Sequence, residues 1–228
     1  MIHDEIEQMC RKDREREQHR REILKAAERI FALKGYHETT MEEVAREAEF
    51  AVGTLYNMFK GKDDLYARVI EAFVQEFMRQ FQEKVLSVDD AEEAIAALIE
   101  LRLTHFHEHQ EFIRLVFQAS LSNRVDLVWA ISPDLIEIHS RYTEAVRAIF
   151  QRGITRQTFD EADPLYLALC LEGIINAFVA YWSRHKPTES LSVRVTKMKR
   201  EFVGRIKVRL EDGLQPSAGA TPCSEWTI

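Results

Sequence analysis

Apolar residues recur three and four positions apart along most of this chain, and no stretch alternates apolar and polar residues as a strand does. The first stripe consists of Ile23, Leu24, Ala27, Ile30 and Phe31. Two short stripes lie within residues 41–59, and longer ones begin near residues 62, 90, 133, 164 and 190. The pattern predicts an all-α protein of about nine helices.

Helix ends are marked by residues that suit them. Gly35 is predicted to end the first helix in a left-handed cap. Thr40 followed by Glu43 is the capping-box pattern at the start of the next helix. Pro133 and Gly153 bracket a later helix, with the proline in its first turn and the glycine predicted just past its end.

The organisation predicted from this pattern has four parts. Residues 1–17 form a charged N-terminal extension, and residues 18–65 form a three-helix unit. Residues 66–212 hold the long helices of a larger domain. Residues 213–228 are small and polar and are predicted to be disordered.

Composition and charge restrict the function. The 228 residues are 46% hydrophobic and 30% charged, which is ordinary for a globular protein, and the net charge of −7 excludes a polycation that coats nucleic acid. Residues 11–62 carry 12 Lys and Arg against 10 Asp and Glu, a balance of +2, whereas residues 63–228 carry 19 against 25, a balance of −6. The N-terminal quarter is therefore the part that suits a phosphate backbone.

The cysteines and the N-terminus indicate a cytoplasmic protein with reduced thiols. The cysteines are far apart and form no Cys-x-x-Cys pair: Cys10, Cys170 and Cys223. This spacing predicts neither a disulfide framework nor a zinc ribbon. The acidic residues within positions 4–7 differ from the positive start of a signal peptide.

The stretch at residues 165–182 is apolar enough to be weighed as a membrane span. It has about the minimum length for crossing a bilayer, which takes roughly 20 apolar residues. Glu172 and Asn176 interrupt it one helical turn apart. We therefore expect a helix buried on both sides within a protein, and no membrane partner.

Two short helices joined by a brief break, and packed on a longer preceding helix, make a helix-turn-helix. In that motif the second helix enters the major groove, so its outward residues should be small or hydrogen-bonding. The outward residues of the second short helix are Gly53, Thr54, Tyr56, Asn57 and Lys60. Glycine allows close approach, the hydroxyls suit phosphates, and the asparagine can bond a base edge. Thr40 and Lys62 are placed to reach the same DNA backbone.

The stretch "TTMEEVAREAEFAVGTLYNMFKGKDDLY" resembles the N-terminal signature of the TetR family of bacterial transcriptional regulators. The resemblance runs from about Ile23 to Leu65, and the length and all-helical character are also similar to that family. It implies phosphate contacts by Thr40, Thr54, Tyr56 and Lys62. It implies contacts to bases or the groove floor by Val52, Gly53 and Asn57.

Four positions depart from the pattern of the family. Glu49 stands in the turn where glycine is usual, and a left-handed residue other than glycine costs on the order of 1 kcal/mol. Ala51 replaces a common serine, Val52 a polar or basic residue, and Met58 a common histidine. A valine beside the groove favours an apolar contact such as a thymine methyl group. These differences concern the operator sequence more than the mode of binding.

The resemblance also implies the partners. A two-fold dimer would read a near-palindromic double-stranded operator, with its recognition helices roughly 34 Å apart. In the family the last two helices, here near residues 164–185 and 190–211, form an intersubunit four-helix bundle. The alternative is that these helices complete the core of a monomer. Release of a repressor from its operator by a small apolar or amphipathic effector is the function that the resemblance implies.

The middle helices are rich in aromatic residues, which suit either core packing or an effector cavity. The candidate effector-binding residues are Phe106, Phe117, Trp129, Tyr142, Glu172, Asn176, Phe178 and Trp182. Glu172 and Asn176 are polar within an apolar helix, so they contact either a ligand or each other across a dimer. No cofactor is predicted.

Two alternative functions remain open from the sequence. His105 and His109 lie four residues apart on one helix face, as two ligands of a metal-dependent helical enzyme would. Such a site needs three or four ligands, and the sequence identifies no third one. A helical interaction protein without DNA binding is the other alternative. No catalytic residues are predicted, so an enzyme is not expected.

Overall fold

The computed structural model describes residues 2–113, 133–185 and 187–206, which contain no β-strand. Eight α-helices have their bounds within these residues: α1 Ile2–Glu38, α2 Met41–Glu47, α3 Val52–Met58, α4 Lys62–Phe81, α5 Ala91–Glu108, α6 Pro133–Thr155, α7 Pro164–Arg184 and α8 Leu191–Ile206. A π-helical turn, Gln82–Leu86, continues α4. The predicted all-α fold is confirmed.

The charged extension is the first part of α1, which begins at Ile2. Gly35 interrupts the helical backbone of α1 with φ 83° and ψ 166°, at the place where the helix was predicted to end. Only glycine adopts this backbone conformation without strain. The buried hydroxyl of Thr39 donates to the Gly35 carbonyl at 2.8 Å. This hydrogen bond holds the turn that connects α1 to α2.

The first four helices share one hydrophobic core. Its fully buried members include Ile23 and Phe31 of α1 and Leu55 of α3. The first part of α4, from Leu65 to Ile70, belongs to this core, and later residues of α4 such as Phe77 belong to a second core. One helix therefore passes from the N-terminal unit into the larger domain.

The second core is formed by the end of α4 and by α5 to α8. Helix α7 packs on α5 and α6, and α8 packs on α5. Gly153 was predicted to follow the end of α6, but α6 continues to Thr155, so that prediction was wrong. A Cβ atom at Gly153 would lie 2.2 Å from the Phe159 ring, so the glycine serves close packing within the helix.

Helix α7 is long and apolar enough to cross a membrane by length and composition, and 22% of its apolar stretch is buried within the chain. Asp163 caps it by accepting hydrogen bonds from the backbone N–H groups of Leu165 and Tyr166. It is buried on one face only, whereas burial on both sides was predicted. Its exposed apolar residues are Leu165, Tyr166, Leu169, Ile174, Phe178 and Tyr181.

Helix α8 turns its apolar stripe towards the chain's own core. Val195, Met198 and Phe202 are buried there. A stripe at helical spacing marks a buried face without saying whether the same chain or a second copy covers it. Four sequence predictions lie outside the described residues: Phe117, Trp129, the end of the last helix and the disordered tail at 213–228.

Candidate functional site

The turn between α2 and α3 is a Schellman motif. The Phe50 N–H donates to the Ala45 carbonyl at 2.9 Å, and the Glu49 N–H donates to the Arg46 carbonyl at 3.2 Å. Between these bonds Glu49 adopts φ 61°, the left-handed conformation that glycine takes most easily. The glutamate therefore keeps the turn geometry expected for glycine, at a cost on the order of 1 kcal/mol.

The predicted capping box at the start of α2 is confirmed. The Glu43 N–H donates to Thr40 Oγ1 at 3.2 Å, and the Thr40 N–H donates to Glu43 Oε2 at 3.2 Å. Hydrogen bonding from Lys34 is the largest cause of the lowered pKa of Glu43. Thr40 is exposed, so its hydroxyl stays accessible at the helix start while it accepts this bond.

Helix α3 divides into a buried face and an exposed face. Leu55 is fully buried on the inner face, and Phe59, directly after the helix, is 2% exposed. The predicted DNA-contacting residues on the outer face are Val52, Gly53, Tyr56 and Asn57, which are exposed, and Thr54, which is half-buried. A Cβ atom at Gly53 would have no atom of the chain within 4 Å. Packing within the chain therefore does not require glycine at this position.

The two lysines after α3 differ in their environment. Lys60 is exposed. Lys62 is half-buried, and its Nζ donates to the carbonyls of His37 at 3.1 Å and Thr39 at 3.0 Å. The same ammonium group lies 4.7 Å from the centre of the Tyr36 ring. Lys62 thus ties the start of α4 to the α1–α2 connection, an internal role that the sequence did not predict.

A cavity of about 300 Å³ lies between α4, α5, α6 and α7. Its wall is largely aromatic and aliphatic, and includes Ile70, Phe73, Phe77, Phe112, Leu135 and Val179. Four predicted effector-binding residues also line it: Phe106, Tyr142, Glu172 and Asn176. Phe178 and Trp182 instead line a second groove, of about 810 Å³, between α7 and α8.

One side of the cavity carries a polar cluster centred on Arg102 of α5. Arg102 Nη2 donates to Asn176 Oδ1 at 2.7 Å and lies 3.4 Å from Glu172 Oε2. The Tyr142 hydroxyl donates to the other oxygen of Glu172. Burial is the largest cause of the strongly raised pKa of Tyr142, so the phenol stays protonated. Glu172 and Asn176 therefore both contact Arg102 of the same chain.

His105 lies beside this cluster and is 6% exposed. Neither of its ring nitrogens has a hydrogen-bond partner among the residues that the structure describes. Its ring packs at a tilt against the ring of Phe73, with ring centres 4.4 Å apart. Burial lowers the pKa of His105 to about 4, with smaller contributions from charge repulsion by the His109 and Arg102 side chains. The imidazole is consequently neutral at physiological pH.

His109 has a different partner. Its Nδ1 lies 2.6 Å from Glu28 Oε1 on α1, and this hydrogen bond is the largest cause of its raised pKa. The His105 and His109 ring centres are 4.7 Å apart. Within the described ranges no group of three or more His, Cys, Asp and Glu side chains is arranged to hold a metal ion. Among the described residues, His105 and His109 therefore have no third side chain placed to complete a metal site with them.

Arg102 and Glu28 were not predicted from the sequence. Arg102 is the single basic residue in the apolar run from Ala94 to Leu103, and that isolation was a usable signal of a buried functional charge. Glu28 gave no such signal, because its partner is 81 residues away.

Residues 23–69 match the family model described as "Bacterial regulatory proteins, tetR family". The HTH-type transcriptional regulator YhgD of Bacillus subtilis is 23% identical over 169 residues, which cover 72% of this chain and 84% of the relative. The fatty acid metabolism regulator protein of the same organism is 30% identical over 78 residues, covering 34% of this chain and 40% of the relative.

Among solved structures, the transcriptional regulator FadR from Bacillus subtilis, in complex with stearoyl-CoA, matches with a TM-score of 0.66. The match covers 81% of this chain and 98% of that chain at 22% sequence identity. A likeness at this identity shows that the two chains share a fold.

Proposed function

This chain belongs to the TetR family of bacterial transcriptional regulators, and we propose that it represses transcription from a near-palindromic operator until an apolar or amphipathic effector releases it. Members of the family are regulators rather than enzymes. The proposal places the protein in the cytoplasm as a homodimer on double-stranded DNA.

The exposed face of α3 is the observation that carries the DNA-binding proposal. Val52 and Tyr56, both large hydrophobic residues, are 37% and 53% exposed on this face. Gly53 sits in a helix where its own chain leaves room for a side chain. A helix that keeps a small residue and hydrogen-bonding groups on its open face fits a major groove.

The phosphate contacts are proposed for Thr40, Thr54, Tyr56 and Lys60. Lys62 is a weaker candidate than the sequence predicted, because two carbonyl oxygens already accept from its ammonium group. Its charge still lies at the start of α4, close to the surface that α3 would present to DNA. We propose that Lys62 orients the DNA-binding unit and attracts the phosphate backbone at longer range.

A second copy of the chain is proposed to cover the exposed face of α7. Tyr166, Leu169 and Tyr181 are 70%, 51% and 57% exposed, and Gly173 and Ala177 lie exposed between them. Exposed apolar residues in one contiguous stripe are typical of an interface. Ala168 is buried within the chain, so a close approach of a second helix would occur at the exposed small residues Gly173 and Ala177.

The cavity of about 300 Å³ supports the effector proposal, since it lies at the lower end of the volumes of ligand pockets, roughly 300–1,000 Å³. The fold relative that binds stearoyl-CoA supports an effector with an apolar chain. Ile70, Phe73 and Phe77 of α4 line the cavity, and α4 also packs in the N-terminal core. An effector that moves α4 would therefore change the spacing of the two recognition helices in a dimer.

The DNA-binding proposal is tested with the purified protein and a pool of random duplexes, at a fixed salt concentration. We expect enrichment of one near-palindromic sequence, and a loss of affinity of about 1–3 kcal/mol for Asn57→Ala at the base that it contacts. Leu33→Ala, at a site 78% exposed on α1, is the control for an exposed substitution away from α3. Equal binding of all duplexes at low and moderate salt would contradict the proposal.

A further inference from the structure

The charge balance of the cavity indicates which chemical class of effector it accepts. This effector class rests on the proposed effector function, and it is set by the polar side of the same cavity. Arg102 is the one Lys or Arg among the described lining residues, and Glu172 is the one Asp or Glu. The two lie 3.4 Å apart, so the positive charge is already balanced by a carboxylate of the same chain.

The carboxylate of Glu172 is held where it is. Tyr142 donates its hydroxyl to one oxygen, and Arg102 lies beside the other. The Glu172 side chain is 12% exposed. A ligand carboxylate that approached Arg102 would face a second, partly desolvated carboxylate at short range, and two like charges that share one site repel strongly.

Histidine offers no compensation for such an anion. His105 is neutral at physiological pH, since burial lowers its pKa to about 4. His139 also lines the cavity, but it is exposed to solvent, where a charge interaction is screened. An anionic group at the polar cluster would therefore leave the cavity with an excess negative charge.

The hydrogen-bonding groups that remain suit a neutral oxygen. A guanidinium has five N–H donors. Among the described residues, the bonds and ion pair of Arg102 involve its Nη2 atom alone, which leaves other donors for a ligand. A carbonyl or hydroxyl oxygen accepts from these donors without displacing Glu172. The aromatic wall, with Phe73, Phe77 and Phe106, would contact the apolar remainder.

We infer that the cavity binds an uncharged amphipathic effector whose carbonyl or hydroxyl oxygen accepts a hydrogen bond from Arg102, and that Glu172 excludes the free carboxylate of the same chain length. An ester, a thioester, a ketone or an alcohol satisfies this condition. A fatty acid in its ionised form does not.

The test compares three probes with the same ten-carbon chain, decanol, methyl decanoate and decanoate, by calorimetric titration of the full-length protein at neutral pH. The wild-type protein should bind decanol and methyl decanoate at least about tenfold more tightly than decanoate. This comparison requires no variant. If decanoate binds as tightly as the neutral probes, the inference is overturned while the proposed apolar effector stands.

Glu172→Gln tests the residue assigned to the exclusion, because it keeps the shape of the side chain and removes its charge. The variant should bind decanoate at least about tenfold more tightly than the wild-type protein does, and decanol with nearly unchanged affinity. Glu144→Gln changes the net charge equally at an exposed site, paired with Arg147, and should leave all three affinities unchanged.

Three further outcomes decide between the claims. No gain of decanoate binding in Glu172→Gln would overturn the role of Glu172. The same gain in Glu144→Gln would attribute the effect to net charge and overturn it too. If none of the three probes binds the wild-type protein or changes its affinity for the operator, the proposed effector is wrong and the inference falls with it, whereas the DNA-binding proposal is unaffected.

Discussion

His109 Nδ1 lies 2.6 Å from Glu28 Oε1, which joins the C-terminal end of α5 to the middle of α1. The pair connects the larger domain directly to the DNA-binding unit, beside α4. His109 also packs edge-on against Phe73, a residue of the cavity wall, with ring centres 5.2 Å apart. A displacement of Phe73, which belongs to α4, would therefore also reach α1 through His109 and Glu28.

The Glu28–His109 pair should make stability depend on pH. Glu28 raises the pKa of His109 above the ordinary histidine value of 6.5, so the folded state binds the proton more tightly than the unfolded state does. The contribution is present in full below pH 6.5 and is lost as the pH rises through the raised pKa. Glu108 and Glu76 raise the pKa of His109 in the same direction, and burial opposes them.

Glu28→Gln should therefore lower the free energy of unfolding by about 1 kcal/mol at pH 6, with a smaller loss at pH 9. Urea denaturation at several pH values measures the difference between variant and wild type. Glu22→Gln on the same helix is the matched control, since among the residues described by the structure Glu22 accepts only from exposed Gln18. A loss that stays constant across the pH range would contradict the role of the ion pair.

Lys60 and Lys62 should behave differently when each is replaced by methionine. Lys62→Met removes the donor to the His37 and Thr39 carbonyls and should lower the free energy of unfolding by about 1–3 kcal/mol. Lys60→Met should leave stability nearly unchanged, and reduce the slope of log affinity against log salt concentration by about 1. Denaturation and operator binding between about 50 and 200 mM salt measure the two effects.

The local parts of the fold could be predicted from the sequence because their signals are short in range. The Thr40–Glu43 capping box, for example, involves residues only three positions apart. The helix-turn-helix followed from the same kind of signal. The candidate residues of α3 could be named because one helix has only one outward face once Leu55 is buried.

Long-range contacts could not be predicted in the same way. The stripe of α8 showed that one face is buried, but not that Val195 and Met198 face the same chain. The polarity of Glu172 was visible in the sequence, whereas its partner Arg102 lies 70 residues away and on another helix. Gly153 looked like a helix end because the sequence does not reveal the ring of Phe159 against it.

Glu49→Gly should stabilise the protein. The Schellman turn holds Glu49 at φ 61°, where glycine has no steric penalty, so the free energy of unfolding should rise by about 1 kcal/mol. Gln157→Gly is the matched comparison, since Gln157 has φ 59° and lies far from the DNA-binding unit. Both variants should raise the midpoint of thermal unfolding. A fall for Glu49→Gly alone would indicate that the glutamate side chain has a stabilising contact.

Ile174→Asp should convert the proposed dimer to monomers. Ile174 is 39% exposed on the outer face of α7. In a dimer the second copy would bury a carboxylate at this position, with no positive charge to pair with it. Sedimentation analysis measures the oligomeric state, and operator affinity should fall with it. Val193→Asp, at a site 42% exposed on α8, tests how far the interface extends. A wild-type protein that is monomeric at micromolar concentration would refute the proposal.

Gly53→Ala separates the needs of the fold from those of DNA binding. The added Cβ meets no atom of the chain within 4 Å, and alanine is favoured over glycine within a helix by about 1 kcal/mol. The variant should therefore be at least as stable as the wild-type protein. If α3 enters the major groove with Gly53 against its floor, the extra methyl group keeps the helix away and operator affinity falls by at least about tenfold. A stabilised variant with undiminished operator affinity would show that Gly53 does not lie against the DNA. In that case α3 would contact the DNA through Tyr56 and Asn57 instead.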